Sequence, residues 1–95
     1  MRQRKMTRDE AEEIATAGFG LLAEEPERTA RFLNLSGLDP GQLREIAGTT
    51  EFHVAVLDYV RRDESLLLVL AARLGIEAER IALAEHELVG AVEEF

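Results

Sequence analysis

The two histidines are the first residues to consider for chemistry, because an imidazole can act as a base, an acid or a metal ligand near neutral pH. His53 and His86 lie in separate segments, and neither belongs to an H-x-x-x-H or H-E-x-x-H pattern. We therefore expect His86 to face solvent and His53 to be a partly covered residue at the edge of an apolar helical face. Neither is expected to act as a base or a metal ligand.

Paired carboxylates are a second source of chemistry. Glu10 with Glu13, and Glu24 with Glu27, are spaced three apart, which places each pair on one helical surface. With 19 acidic residues such pairs arise by chance, and solvated carboxylates lack the desolvation that acid–base catalysis needs. The chain has no cysteine, no calcium-binding EF-hand loop and no Glu-x-x-His pair. We expect no catalytic residue, no metal site and no cofactor, and hence no enzyme.

The segment Gly18-Phe19-Gly20 is neither a phosphate-binding loop nor a dinucleotide fingerprint, because no strand precedes it. Each glycine weakens a helix by about 1 kcal/mol relative to alanine. We expect these two to allow a neighbouring helix to approach closely. A small-ligand pocket beside Gly18 and Gly20 is an alternative hypothesis, and it requires a closed cavity with inward polar groups.

The charge of the chain is strongly negative and unevenly placed. The formal net charge is −8, yet Arg2, Arg4 and Lys5 stand together at the start. An acidic body repels phosphate backbones, which disfavours nucleic-acid binding. A small regulator that contacts nucleic acid through these three residues and Arg8 is the second functional hypothesis. We assign residues 1–6 to a flexible basic tail and residues 7–95 to one helical domain.

Helix-boundary residues recur along the chain and predict an all-α fold of five or six short helices. Thr7 and Glu10 match a capping box at the start of the first helix. Pro26 suits the first position of the second helix, and Gly37 and Gly75 suit left-handed helix endings. Other helix starts are predicted from polar residues or acids at Asp39, Thr49 or Thr50, Asp63 and Glu77.

The run from Ser65 to Gly75 is the most apolar stretch of the sequence. Apolar residues on every side are typical of a helix enclosed by other helices, so we predict a compact bundle around a central helix at about residues 64–74. The run is too short to cross a bilayer, which needs about 20 apolar residues. No signal-peptide core follows the basic start, and the lack of cysteine favours a reducing compartment, so we expect a cytoplasmic protein.

The two halves of the sequence resemble each other at a shift of 38 positions. The shift places Gly37-Leu38-Asp39 on Gly75-Ile76-Glu77, and Leu43 on Ile81. One interpretation is that helical chains reuse the same glycine endings. The other is a duplicated three-helix unit with pseudo-two-fold symmetry.

The last helix carries more apolar residues than one core face requires. Either this helix wraps a concave bundle, or its surplus residues form a surface for self-association or for a partner. That surface would comprise Leu83, Val89, Val92 and Phe95.

Arg28 and Arg31 share one face of the second helix. They either pair with neighbouring carboxylates or contact an anion or an acidic partner. Together with the apolar surplus of the last helix, they favour a non-enzymatic module that binds a protein partner or a second copy of itself. This is the leading functional hypothesis.

Several segments resemble a known protein family: Leu22–Arg28, Arg31–Leu33, Ser36–Pro40, Val56–Val60 and Asp63–Leu67. They are similar to short proteobacterial proteins grouped as domain-of-unknown-function family 3572, and the resemblance covers roughly residues 8–88. It implies a small all-helical bacterial cytoplasmic protein. It supplies no activity, so no functional residue is assigned from it.

Overall fold

A computed structural model describes residues 5–93 of the chain. In that range the chain forms six α-helices and no strand, which confirms the predicted all-α class. The helices are α1 (Arg8–Ala23), α2 (Pro26–Ser36), α3 (Leu43–Ile46), α4 (Thr50–Arg61), α5 (Glu64–Leu74) and α6 (Ala78–Val92), and a 3₁₀ turn (Pro40–Gln42) precedes α3.

The predicted capping residues define these bounds. Thr7, Thr49 and Asp63 each accept, through the side chain, a hydrogen bond from the third backbone N–H of α1, α4 and α5. Helices α2 and α5 end at Gly37 (φ 71°) and Gly75 (φ 67°), both in the left-handed region. Local backbone chemistry therefore explains where these helices begin and end.

The core is built mainly where α1, α4 and α6 pack against one another. Leu22 of α1, Leu57 of α4 and Leu88 of α6 are fully buried. Gly18 lets α1 and α4 approach closely, since a Cβ placed on it would stand 3.1 Å from Val56 Cγ1. The expectation of close helix contact is thus confirmed at Gly18.

Helix α5 has the predicted bounds, but it is not enclosed on all sides. Leu66, Leu70 and Ala71 are buried, whereas Leu68 is 55% exposed and Val69 is 40% exposed. The neighbours of α5 are α1, α4 and α6, and they cover only the side that carries Leu66 and Leu70. The expectation of full enclosure is therefore wrong, because an apolar run does not indicate on which sides neighbouring helices will pack.

The start of the domain also differs from the expectation. Met6, which we assigned to the tail, is 6% exposed and belongs to the core. Arg2 and Arg4 lie outside the described residues. Within residues 5–93, no helix is both long enough and apolar enough to cross a membrane.

The 38-residue repeat is visible in the helix endings. Helices α2 and α5 both have 11 residues, and their bounds are 38 positions apart. The Leu38 N–H donates to the Leu33 carbonyl at 3.0 Å, and the Ile76 N–H donates to the Ala71 carbonyl at 3.0 Å. The third helices differ, since α3 has four residues and α6 has fifteen. The repeat therefore describes the first two helices of each half.

Candidate functional site

The histidines occupy different environments. His86 on α6 is exposed, as predicted. His53 on α4 is only 8% exposed, so the expectation of a partly covered edge residue is wrong. Its Nδ1 atom is buried and has no hydrogen-bond partner among residues 5–93. In the same range, no group of three or more potential ligand side chains could hold a metal ion.

The space beside Gly18 is filled by protein. The side chains of Val56, Leu70 and Leu57 lie 3.1, 3.5 and 3.8 Å from the position that a Cβ would take. Gly20, two residues on, is exposed and has no such neighbour within 4 Å. The cavity that the small-ligand hypothesis requires beside Gly18 is therefore occupied by aliphatic side chains.

The basic residues of the nucleic-acid hypothesis are only partly described. The Arg8 Nε atom lies 3.4 Å from Glu12 Oε2. The Arg8 Nη2 atom donates a hydrogen bond to Thr50 Oγ1 at 3.2 Å. Lys5 is exposed. Arg2 and Arg4 lie outside the part of the chain that the structure describes.

The predicted partner surface on α6 is less open than expected. Leu83, Val89 and Val92 are half-buried, and Leu83 packs against the core. Phe95 lies outside the described residues. The described part of α6 therefore offers less apolar surface than its sequence indicates.

The two arginines of α2 also differ from each other. Arg28 forms an ion pair with Glu25, with 2.8 Å between Nη2 and Oε2, which is the local pairing considered for this helix. Arg31 is exposed. Arg31 therefore lies on the solvent-facing surface of α2.

Among the described helices, α5 carries the most large apolar side chains that are exposed to solvent. Surface helices usually place polar residues on the side opposite the core, but here Leu68 lies on that side and Val69 lies exposed at its edge. Residues spaced four apart are neighbours on a helix, so two rows run along this side of α5. We call this side of the helix the α5 outer face. It consists of six residues that are all exposed: Glu64, Ser65, Leu68, Val69, Ala72 and Arg73.

The two ends of the α5 outer face carry opposite charges. Arg73 forms a two-pronged ion pair with Glu24 of α1, and its Nη2 atom lies 3.0 Å from Glu24 Oε1. The hydrogen bond from Arg73 holds the pKa of Glu24 below its usual value, and the same bond raises the pKa of Arg73. Glu64, at the other end, makes no ion pair with any described residue.

Another exposed leucine stands at the end of α2. Leu35 is 71% exposed and borders a groove with Tyr59 and Arg62 of α4. Sequence reasoning missed both Leu35 and the exposure of Leu68 and Val69. The spacing of Leu66 and Leu70 was the available signal, because a stripe through these two places Leu68 on the opposite side of α5 and Val69 at the edge of the stripe.

A tightly bound ion pair joins α1 and α6 at the side of the bundle. Arg80 Nη2 donates to Glu10 Oε1 at 3.0 Å and to Glu10 Oε2 at 2.9 Å. The two side chains are only 11% and 19% exposed. Glu10, expected to complete a capping box with Thr7, thus binds Arg80 in the folded chain.

No curated protein and no solved structure matches the chain. The family model described as "Protein of unknown function (DUF3572)" matches residues 8–91, which is most of the sequence. The chain therefore belongs to the DUF3572 family.

Proposed function

We propose that this protein is a non-enzymatic module that binds another protein chain through the α5 outer face. The observation that carries the proposal is the exposure of Leu68 and Val69, at 55% and 40%, on a helix whose opposite side is buried. Removing apolar surface from water is favourable by about 25 cal/mol per Å². Clustered exposed aliphatic residues are accordingly typical of protein contact surfaces.

The surroundings of these two residues support the proposal. Binding surfaces commonly have an apolar centre and a polar rim. On the α5 outer face the aliphatic centre lies between Glu64 at one end and Arg73 at the other. Charged groups at a rim contribute more to orientation and partner choice than to affinity.

We place the binding surface on α5 rather than on α6. Leu83, Val89 and Val92 are half-buried, so a partner would gain less by covering them than by covering Leu68. The two candidate surfaces lie on different helices, and single substitutions can therefore separate them.

Site-specific photo-crosslinking tests the proposal. A photoreactive phenylalanine analogue at Leu68 should give a covalent product with another protein chain, in the purified protein or in cells. The matched control is the same analogue at Leu35, a leucine that is more exposed but lies on α2. Equal products at both positions, or none at Leu68, would contradict the proposal.

A further inference from the structure

An open groove of about 590 Å³ runs along the side of α1 that faces away from the core. Its lining comes from two rows spaced four apart on α1 and from one residue of α4: Asp9, Glu12, Glu13, Thr16, Ala17 and His53. We propose that this groove binds a guanidinium group, the planar cation of arginine side chains and of small arginine-like molecules. The groove is separate from the α5 outer face, so either proposal can fail without the other.

His53 distinguishes this groove from an ordinary acidic helix surface. The residue is only 8% exposed, and its ring forms no hydrogen bond with any of residues 5–93. The Nδ1 atom is fully covered, whereas Nε2 is not, so Nε2 is the ring nitrogen that a ligand in the groove can reach. A buried polar group without a partner destabilises the fold, and proteins break such rules chiefly at functional sites.

The groove also carries negative charge that no described residue neutralises through an ion pair. Asp9 and Glu13 are exposed and unpaired within residues 5–93, although Lys5 lines an adjoining groove with both of them. Glu12, in contrast, is paired with Arg8. The helix dipole favours acidic residues in the first turn of a helix, which accounts for Asp9 but not for Glu13 in the second turn.

The chemistry of the lining selects the class of ligand. Ionised carboxylates only accept hydrogen bonds, and Nε2 of a neutral imidazole accepts one when the proton is on Nδ1. A ligand that suits these groups therefore brings N–H donors and a positive charge.

The spread of the acceptors favours a guanidinium over other cations. Within residues 5–93, no group of three or more potential ligand side chains could hold a metal ion, so these acceptors do not converge on one point. A guanidinium has five N–H donors spread over a plane and can reach acceptors that lie apart. An ammonium group is a compact point charge and is more strongly hydrated.

A single guanidinium should bind weakly. The groove is open to solvent, and exposed ion pairs contribute little to affinity. We therefore expect a small guanidinium compound to bind with a dissociation constant in the millimolar range. Added salt should weaken the binding, because it screens the carboxylates.

An NMR titration of the full chain with ethylguanidinium chloride tests the proposal, with sodium chloride keeping the ionic strength constant. The chain has two histidines, so the imidazole signals of His53 report on the groove, and those of His86, exposed on α6, are the internal control. The His53 signals should shift until the site is saturated, whereas the His86 signals should not. Ethylammonium chloride should bind more weakly by about threefold or more.

Substitutions locate the contact. Asp9→Asn and Glu13→Gln should each weaken binding by about two- to fivefold, whereas Glu27→Gln removes the same charge from an exposed position on α2 and should leave binding unchanged. His53→Leu should also weaken binding, followed through the methyl signal of Thr16. Its melting temperature should be unchanged or higher, because the variant removes a buried polar group that has no partner.

A peptide with one arginine between glycines, and the same peptide with neutral citrulline in its place, identify the source of the guanidinium. Tighter binding of the arginine peptide than of ethylguanidinium supports a side chain of a protein partner, and equal binding supports a small free cation. The proposal is overturned if the His53 signals do not shift to saturation, or if the citrulline peptide binds as well as the arginine peptide. It is also overturned if Glu27→Gln weakens binding as much as Asp9→Asn, or if His53→Leu clearly lowers the melting temperature.

Discussion

At the scale of single residues, two glycines of α1 have different physical roles. Gly20 has open space where a Cβ would stand, whereas a Cβ on Gly18 would meet Val56 Cγ1 at 3.1 Å. Alanine in place of glycine stabilises an exposed helix position by roughly 0.5–1 kcal/mol. We expect this gain for Gly20→Ala and a smaller gain or a loss for Gly18→Ala, measured by urea unfolding.

A second substitution isolates the contact between α1 and α4. In a Val56→Ala background the crowding methyl group is absent, so Gly18→Ala should regain the stabilisation that it lacks in the wild type. A double-mutant cycle measures this coupling. If both glycine variants gain equally in the wild type, the close approach of α1 and α4 is refuted.

Ion pairs of different burial should differ in their contribution to stability. The side chains of Arg80 and Glu10 are 11% and 19% exposed, whereas those of Arg62 and Asp58 are 79% and 48% exposed. Arg80→Met leaves a largely buried carboxylate without this partner and should lower the free energy of unfolding by about 2–3 kcal/mol. Arg62→Met should change it by about 0.5 kcal/mol or less.

Chemical denaturation of both arginine variants gives the comparison. Equal losses would mean that the pair between α1 and α6 is solvated in solution. A loss confined to Arg80→Met supports its role in fixing α6 against α1.

The Glu24 carboxyl group should make the stability of the folded chain depend on pH. Arg73 lowers its pKa in the folded chain, so its contribution to stability is present above the unfolded-state pKa. That contribution is lost as the pH falls through the lower, folded-state pKa. Carboxyl NMR titration should find the Glu24 pKa below the usual value of a glutamate side chain, and Arg73→Gln should raise it. An unchanged pKa in that variant would contradict the ion pair.

At the scale of helices, the equivalent endings of α2 and α5 should respond alike to substitution. Gly37 and Gly75 have φ values of 71° and 67°, and an L-residue in this region costs about 1–2 kcal/mol. Gly37→Ala and Gly75→Ala should therefore each lower the melting temperature, and by similar amounts. Calorimetry of the two variants makes the comparison. A neutral result at either position would show that this helix ends differently in solution.

The limits of sequence reasoning also appear at this scale. Caps and glycine endings are local, so Thr7, Asp63 and Gly75 predicted the ends of their helices. The position of α5 depends on where distant helices pack, and an apolar run looks the same whether one side or every side is covered. For the same reason, the burial of His53 and Met6 could not be predicted from neighbouring residues alone.

At the scale of the whole molecule, α6 breaks the repeat between the halves. Helices α1 and α2 correspond to α4 and α5, but the four-residue α3 has a fifteen-residue counterpart in α6. Helix α6 packs against both α1 and α4. The core therefore forms around these three helices, and α5 is left at the edge with one apolar side uncovered. This arrangement is the basis of the proposed binding surface.

The most direct test compares the unfolding free energies of Leu68→Ala and Leu70→Ala, at a dilution where the wild type is monomeric. Leu70 is 1% exposed and Leu68 is 55% exposed. We predict a loss of about 2–5 kcal/mol for Leu70→Ala and about 0.5 kcal/mol or less for Leu68→Ala. Equal losses would contradict the account, because they would mean that the monomer already buries both sides of α5.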